Sequence, residues 1–128
     1  MESNQSTDVI ERIFPTEPNE AGYYYETEED ETMGIETKVY ENGNKVKRSL
    51  LPACNKVAVV RELIANDHKY VVRYQESGEK VDITANTLKA SITVATTLDD
   101  EKQPIENIGR LKMKDYNMLI VMYQQLNF

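Results

Sequence analysis

Residues 111–128, LKMKDYNMLIVMYQQLNF, constrain the fold more than any other stretch. They are the most apolar in the chain, and they hold no glycine or proline that would break a helix. Tyr116, Leu119, Ile120, Tyr123 and Leu126 recur at helical spacing and make one face, while Met118, Val121 and Met122 spread apolar surface around the cylinder. A helix apolar on more than one side must be sandwiched. Either it is the central helix of a small domain, or its second face waits for a partner, a use that suits the flexible thioethers of methionine. Burying several such side chains at about 1.5–3 kcal/mol each makes this helix the main stabiliser of the body around it.

The charge of the chain is divided as unevenly as its apolar residues. The net charge of −7 hides an acidic first third: residues 1–36 carry eleven acidic side chains and Arg12 as their only base, a charge of −10, which leaves +3 on the remainder. Like charges this dense resist collapse, and Pro15, Pro18 and the run ETEEDE interrupt any local core, so residues 1–34 read as an acidic arm, a linker or a segment that orders on a partner. Residues 35–128 read as one body. Within the arm, Val9, Ile10, Ile13 and Phe14 share a face of one or two helical turns that Ser6 or Thr7 can cap and Pro15 stops. A helix so short is marginal alone in water. It is either a docking peptide that folds when its apolar face is buried, or a flexible tail with a chance cluster. Tyr23 to Tyr25 are a contact strip or the entry to a strand, and ETEEDE reads as a solvated linker, because it lacks the alternating ligands and turn glycine of a calcium loop.

The body reads as α+β. IETKVYENGNKVKRSLL alternates around Asn42-Gly43, a pair that tolerates the positive φ angles of a tight turn, so residues 35–41 and 45–51 are expected to form a hairpin. KVAVVREL supplies a third strand after Pro52. Asn66 and Asp67 can cap a helix from His68 that stops at Gly78, with strand as the competing reading. Residues 83–97 are ambiguous between helix and strand. Ile83, Leu88, Ile92 and Ala95 fit a helical stripe, and helix is chosen although Thr and Val are frequent there. Pro104 suits the first position of a short turn in PIENIG. The expected architecture is a small antiparallel sheet, an N-terminal hairpin plus a third strand, packed against about three helices and the long C-terminal one.

Little in the chain suggests chemistry. One cysteine, Cys54, and one histidine, His68, are too few for a zinc site, and an internal disulfide needs a second thiol. No serine stands in a nucleophile elbow, the five glycines are isolated from one another so no phosphate loop exists, and Asp99-Asp100 lie in a polar break with no apolar pocket to raise a pKa. Neither catalytic residue, cofactor nor metal is therefore expected. No run approaches the roughly 18–20 apolar residues of a membrane span, and the first residues lack a basic start and apolar block, which reads as cytoplasmic at synthesis. Lys45, Lys47 and Arg48 form a basic strand end. A body charge of +3 beside a repelling acidic arm argues against nucleic acid, and pairing of the cluster with the protein's own arm is an open alternative.

Two stretches carry a resemblance: LLPACNKVAVVRELIANDHKYVV at 50–72 and IENIGRLKMKDYNMLIVMYQQLN at 105–127. A Leu-Pro turn, a strand ending in Arg-Glu-Leu, an Asn/Asp-capped helix, and later Ile-x-x-Ile-x-x-Leu leading to Lys-Asp-Tyr and an apolar helix together resemble the small baseplate and tail assembly proteins of contractile-tailed bacteriophages, including the baseplate-hub assembly group. The likeness covers roughly the last 80 residues. Ala53-Cys54-Asn55 departs from the glycine turn of that group, and YQQLN from its arginine-containing ending. The resemblance implies a non-enzymatic assembly factor or small structural subunit that binds tail or baseplate proteins, can self-associate, and acts in the infected bacterial cytoplasm or stays in the virion tail. On that reading Val9, Ile10, Ile13 and Phe14 of the arm and Met118, Val121 and Met122 of the last helix contact the partner. The alternative reading is an acidic inhibitor that mimics DNA, for which the −10 arm is the motivating feature.

Overall fold

The expected hairpin forms and begins a larger sheet. In the computed structural model, which describes residues 12–76 and 83–128, strand β1 (Glu36–Val39) pairs antiparallel with β2 (Lys45–Leu50), and β2 with β3 (Val57–Arg61). Two further strands follow, β4 (Thr96–Leu98) and β5 (Glu101–Lys102), giving a five-stranded sheet in the order β1-β2-β3-β4-β5 with every pair antiparallel. The helices are α1 (Glu28–Met33), α2 (His68–Glu76) after a 3₁₀ turn at Ala65–Asp67, α3 (Ile83–Ala95), α4 (Ile105–Gly109) and α5 (Met113–Asn127). The chain is thus α+β.

The first turn is built differently from a two-residue Asn-Gly turn. Gly43 N–H donates to the Tyr40 carbonyl, and of the Asn-Gly pair only Gly43 is left-handed, at φ 88°, so a turn through Glu41 and Asn42 is followed by one glycine in the conformation that a side chain resists. The last hairpin is the two-residue kind. Asp99 and Asp100 both have positive φ, 49° and 66°, between paired Leu98 and Glu101. Asp99 Oδ1 accepts from Val57 N–H at 2.8 Å, tying that turn to the neighbouring strand. Residues 83–97 therefore divide: helix to Ala95, then strand, because Thr96 to Leu98 complete the sheet beside β3.

Register decides which residues are inside. Thr37 faces Lys47, Lys47 faces Val60 and Val60 faces Thr96, a row across four strands in which every side chain is buried. Ser49, Ala58 and Leu98 make a second inner row. Helix α5 packs on this face against β2 and β3, with Leu119, Met122 and Tyr123 joining Ile35, Leu51 and Val60 in the main core. A smaller cluster of Val71, Ala90, Val94 and Ile105 joins α2, α3 and α4. The rotation of α5 is fixed at its first turn. Asp115 is buried there, and its two carboxylate oxygens accept from Ala53 N–H and Cys54 N–H, both at 2.9 Å, so the helix closes the turn after Pro52. Its buried stripe is accordingly Asp115, Leu119, Met122 and Tyr123, while Tyr116 and Ile120 of the face expected from spacing are only half-buried.

Candidate functional site

The acidic segment is packed against the body from Tyr23 onward rather than strung out as a linker. Thr16 N–H donates to the Tyr25 carbonyl, and Tyr24 bridges Thr37 through hydrogen bonds of 2.9 and 2.7 Å, so the tyrosine run does lead into the sheet edge. Tyr23 is buried with the Arg48 guanidinium 3.7 Å from its ring centroid, and burial pushes its hydroxyl pKa up. The last four residues of ETEEDE lie in a capped helix: Thr27 Oγ1 accepts from Asp30 N–H at 3.1 Å, four acids occupy the favourable first turn of α1, and Gly34 closes it in the left-handed region at φ 75°.

That helix aims a carboxylate into the body. Lys47 Nζ, 1% exposed, donates to Glu26 Oε1 at 2.6 Å, Thr37 Oγ1 at 3.0 Å and Asp30 Oδ2 at 3.1 Å, which uses all three ammonium donors. Asp30 Oδ1 accepts from Gln125 Nε2 at 2.9 Å, so one carboxylate joins the acidic segment, the sheet and α5. Lys45 Nζ meets the other oxygen of Glu26 at 2.8 Å, Arg48 pairs with Glu36, and Arg12 with Glu31. Thus the basic strand end is paired with the chain's own acids.

Titration of this region carries a pH dependence. Withdrawal from water pushes the Glu26 carboxyl up, but hydrogen bonds and charge from Lys45 and Lys47 outweigh it and hold the group below its ordinary value. Asp67 is also held low, chiefly by hydrogen bonds from Arg61, with burial opposing. A carboxylate whose folded pKa is depressed adds stability above its unfolded value and loses it as pH falls through the folded one. The expected thermal-melt midpoint is therefore level from pH 7 to about 5 and falls steeply below about 4. A midpoint unchanged at about pH 3 contradicts this account.

The residues expected to meet a partner are scattered. Val9 and Ile10 lie outside the described residues. Arg12, Ile13 and Phe14 are not helical; Ile13 is 82% exposed, and Phe14 is half-buried within 5.8 Å of the Arg12 guanidinium. Met118 and Val121 are half-buried against the core. Met122 is corrected: it has no exposed surface, because the rotation set by Asp115 turns it into the core. Asp67 is not a simple helix cap either. Its Oδ2 accepts from Ile64 N–H and its carboxylate pairs with both terminal nitrogens of Arg61 at 2.8 and 2.9 Å.

Sequence spacing picked out the exposed Ile13 but not the apolar surface at Ile64 and Phe128. Ile64, between β3 and the 3₁₀ turn, is 60% exposed on a ridge between two hollows. One, about 420 Å³, is lined on the hairpin side by Tyr40, Asn44, Lys45 and Val46; the other, about 360 Å³, lies toward Val71 and Ser91. Leu63 N–H donates to Asn127 Oδ1 at 2.9 Å, which brings the end of α5 to the ridge. There Phe128 is 90% exposed, holding Tyr123 edge-to-face at a centroid distance of 6.0 Å. The one signal the sequence holds for Ile64 is an apolar residue beside the turn-forming Asn66-Asp67.

Burial pushes the Cys54 thiol pKa up, and the neighbouring Asp115 adds to it, so at neutral pH it is the poorly nucleophilic thiol. Among the described residues no group of three or more metal-ligating side chains is present, and no helix is long and apolar enough to cross a membrane. Compared with protein-family models, curated proteins and solved structures, the chain matches none.

Proposed function

We propose that the protein is a non-enzymatic assembly factor or small structural subunit of a bacteriophage contractile tail, which binds other tail or baseplate proteins in the cytoplasm of the infected cell. The supporting observation is the ridge where Ile64 stands exposed between two hollows, with Phe128 exposed at the end of the helix that Asn127 ties to Leu63. Large apolar side chains left exposed together beside concave surface mark protein interfaces. The sequence resemblance to baseplate and tail assembly proteins supplies the class of partner. A DNA mimic is less well supported, since Glu26, Asp30, Glu31 and Glu36 spend their charge on Lys45, Lys47, Arg12 and Arg48 instead of presenting it.

Pairwise co-expression with tube, hub and baseplate proteins of contractile-tailed bacteriophages tests this. One of them is expected to co-purify and to remain bound at about 0.5 M salt, where screening reaches only a few ångströms. Ile64→Asp and Phe128→Asp are each expected to weaken that complex by about tenfold to thirtyfold with an unchanged thermal melt. No complex with any tail protein overturns the proposal. So does a complex that both variants leave intact, or binding to a DNA-binding protein that salt abolishes.

A further inference from the structure

A separate cavity of about 330 Å³ lies where the sheet meets α2, and its walls combine cations with aromatic rings. Tyr70, Arg73 and Tyr74 reach it from one face of α2, Arg61 from the end of β3 and Lys102 from β5, and Val94 lines it from the last turn of α3. Three positive side chains and the single carboxylate of Asp67 leave a charge of +2 at the wall. That carboxylate is spent: both its oxygens are engaged by Arg61, and one also accepts from Ile64 N–H.

The other two cations are less satisfied. Lys102 Nζ donates to the Val94 carbonyl at 2.7 Å, which occupies one of its three donors. Burial and the nearby Arg61 charge push its pKa down, with Asp67 opposing, so the ammonium sits where an anion is favourable. The Arg73 guanidinium lies 5.7 Å from the Tyr70 ring centroid, and among the described residues it makes no ion pair. The tyrosine rings and Val94 give the rest of the wall a flat, largely apolar character.

We propose that this cavity binds a small phosphomonoester bearing a planar ring, with its phosphate held by Arg73 and Lys102 and its ring set against Tyr70 and Tyr74. A phosphomonoester carries close to two negative charges at neutral pH and several strong acceptors, which matches the wall charge; a monocarboxylate leaves one cation unanswered. The volume suits a single-ring compound, at the small end of ligand sites. This site does not rest on a tail partner, although Arg61 and Asp67 of its wall also line the hollows beside Ile64.

Calorimetric titration of the full chain with phenyl phosphate and with uridine 5′-monophosphate tests it, with inorganic phosphate and benzoate as partial probes. Saturable 1:1 binding of phenyl phosphate is expected, tighter than that of either partial probe. Arg73→Gln and Lys102→Gln are each expected to weaken it by about tenfold or more, and Lys102→Arg to retain it. Tyr70→Leu is expected to weaken phenyl phosphate while leaving inorganic phosphate unchanged. Thermal melts of all four variants identify any that fail to fold, and the comparison of partial probes on the unaltered chain stands without them. Absence of saturable binding at millimolar phenyl phosphate overturns the proposal, as does equal affinity for benzoate or inorganic phosphate, or affinity unchanged in both glutamine variants.

Discussion

Replacing Lys47 by alanine is expected to destabilise the protein by about 3–5 kcal/mol, a large share of the roughly 5–15 kcal/mol that holds an ordinary domain together. The cost comes less from the pair that is lost than from the charge left behind. Asp30 is buried, and without the ammonium its carboxylate retains only Gln125 Nε2 as a side-chain donor, with Glu26 close to the emptied position. Removing both sides of the pair is a different experiment. Lys47→Met with Asp30→Asn withdraws the two opposite charges together, and recovery of a substantial part of the loss is expected, since a buried ion pair often contributes little over a neutral replacement. Urea unfolding of the two variants measures the difference. A single variant within about 1 kcal/mol of the unaltered protein contradicts the reading of this cluster as the anchor of the acidic segment.

The Lys47 cluster also shows why part of the fold is not legible in the sequence. In KVKRSL the apolar positions are Val46 and Leu50, and simple alternation turns those two inward and the lysines out to water. The register reverses this for Lys47 and Leu50, although Val46 is buried as well. Lys47 and Ser49 lie opposite Val60 and Ala58 on the inner face, and Leu50 is left 56% exposed. What makes this tolerable is a pair of carboxylates that arrive from residues 26 and 30, and no local pattern announces a contact across that separation. The same charge run that argues for repulsion between neighbours serves attraction to a distant strand. Net charge per segment does not distinguish the two.

Signals that act locally were legible. Alternation around Asn42-Gly43 gave the hairpin, Val57 to Arg61 the third strand, and the absence of breakers the long last helix. The closing hairpin was not, because Asp99-Asp100 lacks the glycine that usually marks a two-residue turn, and β5 is only Glu101 and Lys102, whose place comes from pairing with Thr97 and Leu98. The exposed ridge escaped for a related reason. Periodicity finds side chains that face a core, whereas Ile64 and Phe128 lie outside any repeating element and are defined by what the tertiary fold fails to cover.

Met122→Asp is expected to prevent folding altogether, whereas Met118→Asp is expected to fold. Spacing alone treats the two methionines alike, since a helix apolar around most of its circumference offers no internal mark of which side is innermost. Asp115 supplies the mark. By accepting from Ala53 and Cys54 it fixes the helix at its first turn, and Met122, seven positions on, follows the same stripe into the core beside Leu119 and Tyr123, with 0% of its surface exposed. An ionised carboxylate there has no cation in the surrounding apolar cluster, and its desolvation of several kcal/mol adds to the lost packing, about 2–5 kcal/mol for removing such a side chain. Together these approach the whole stability of a domain. Met118 is half-buried, so an aspartate can turn its carboxylate to water. Far-ultraviolet circular dichroism and amide exchange of the two variants decide the matter: a cooperative, protected Met122→Asp protein is incompatible with this packing. It follows that lost partner binding in Met122→Asp reports unfolding, and that the proposed docking surface is to be probed at Ile64 and Phe128.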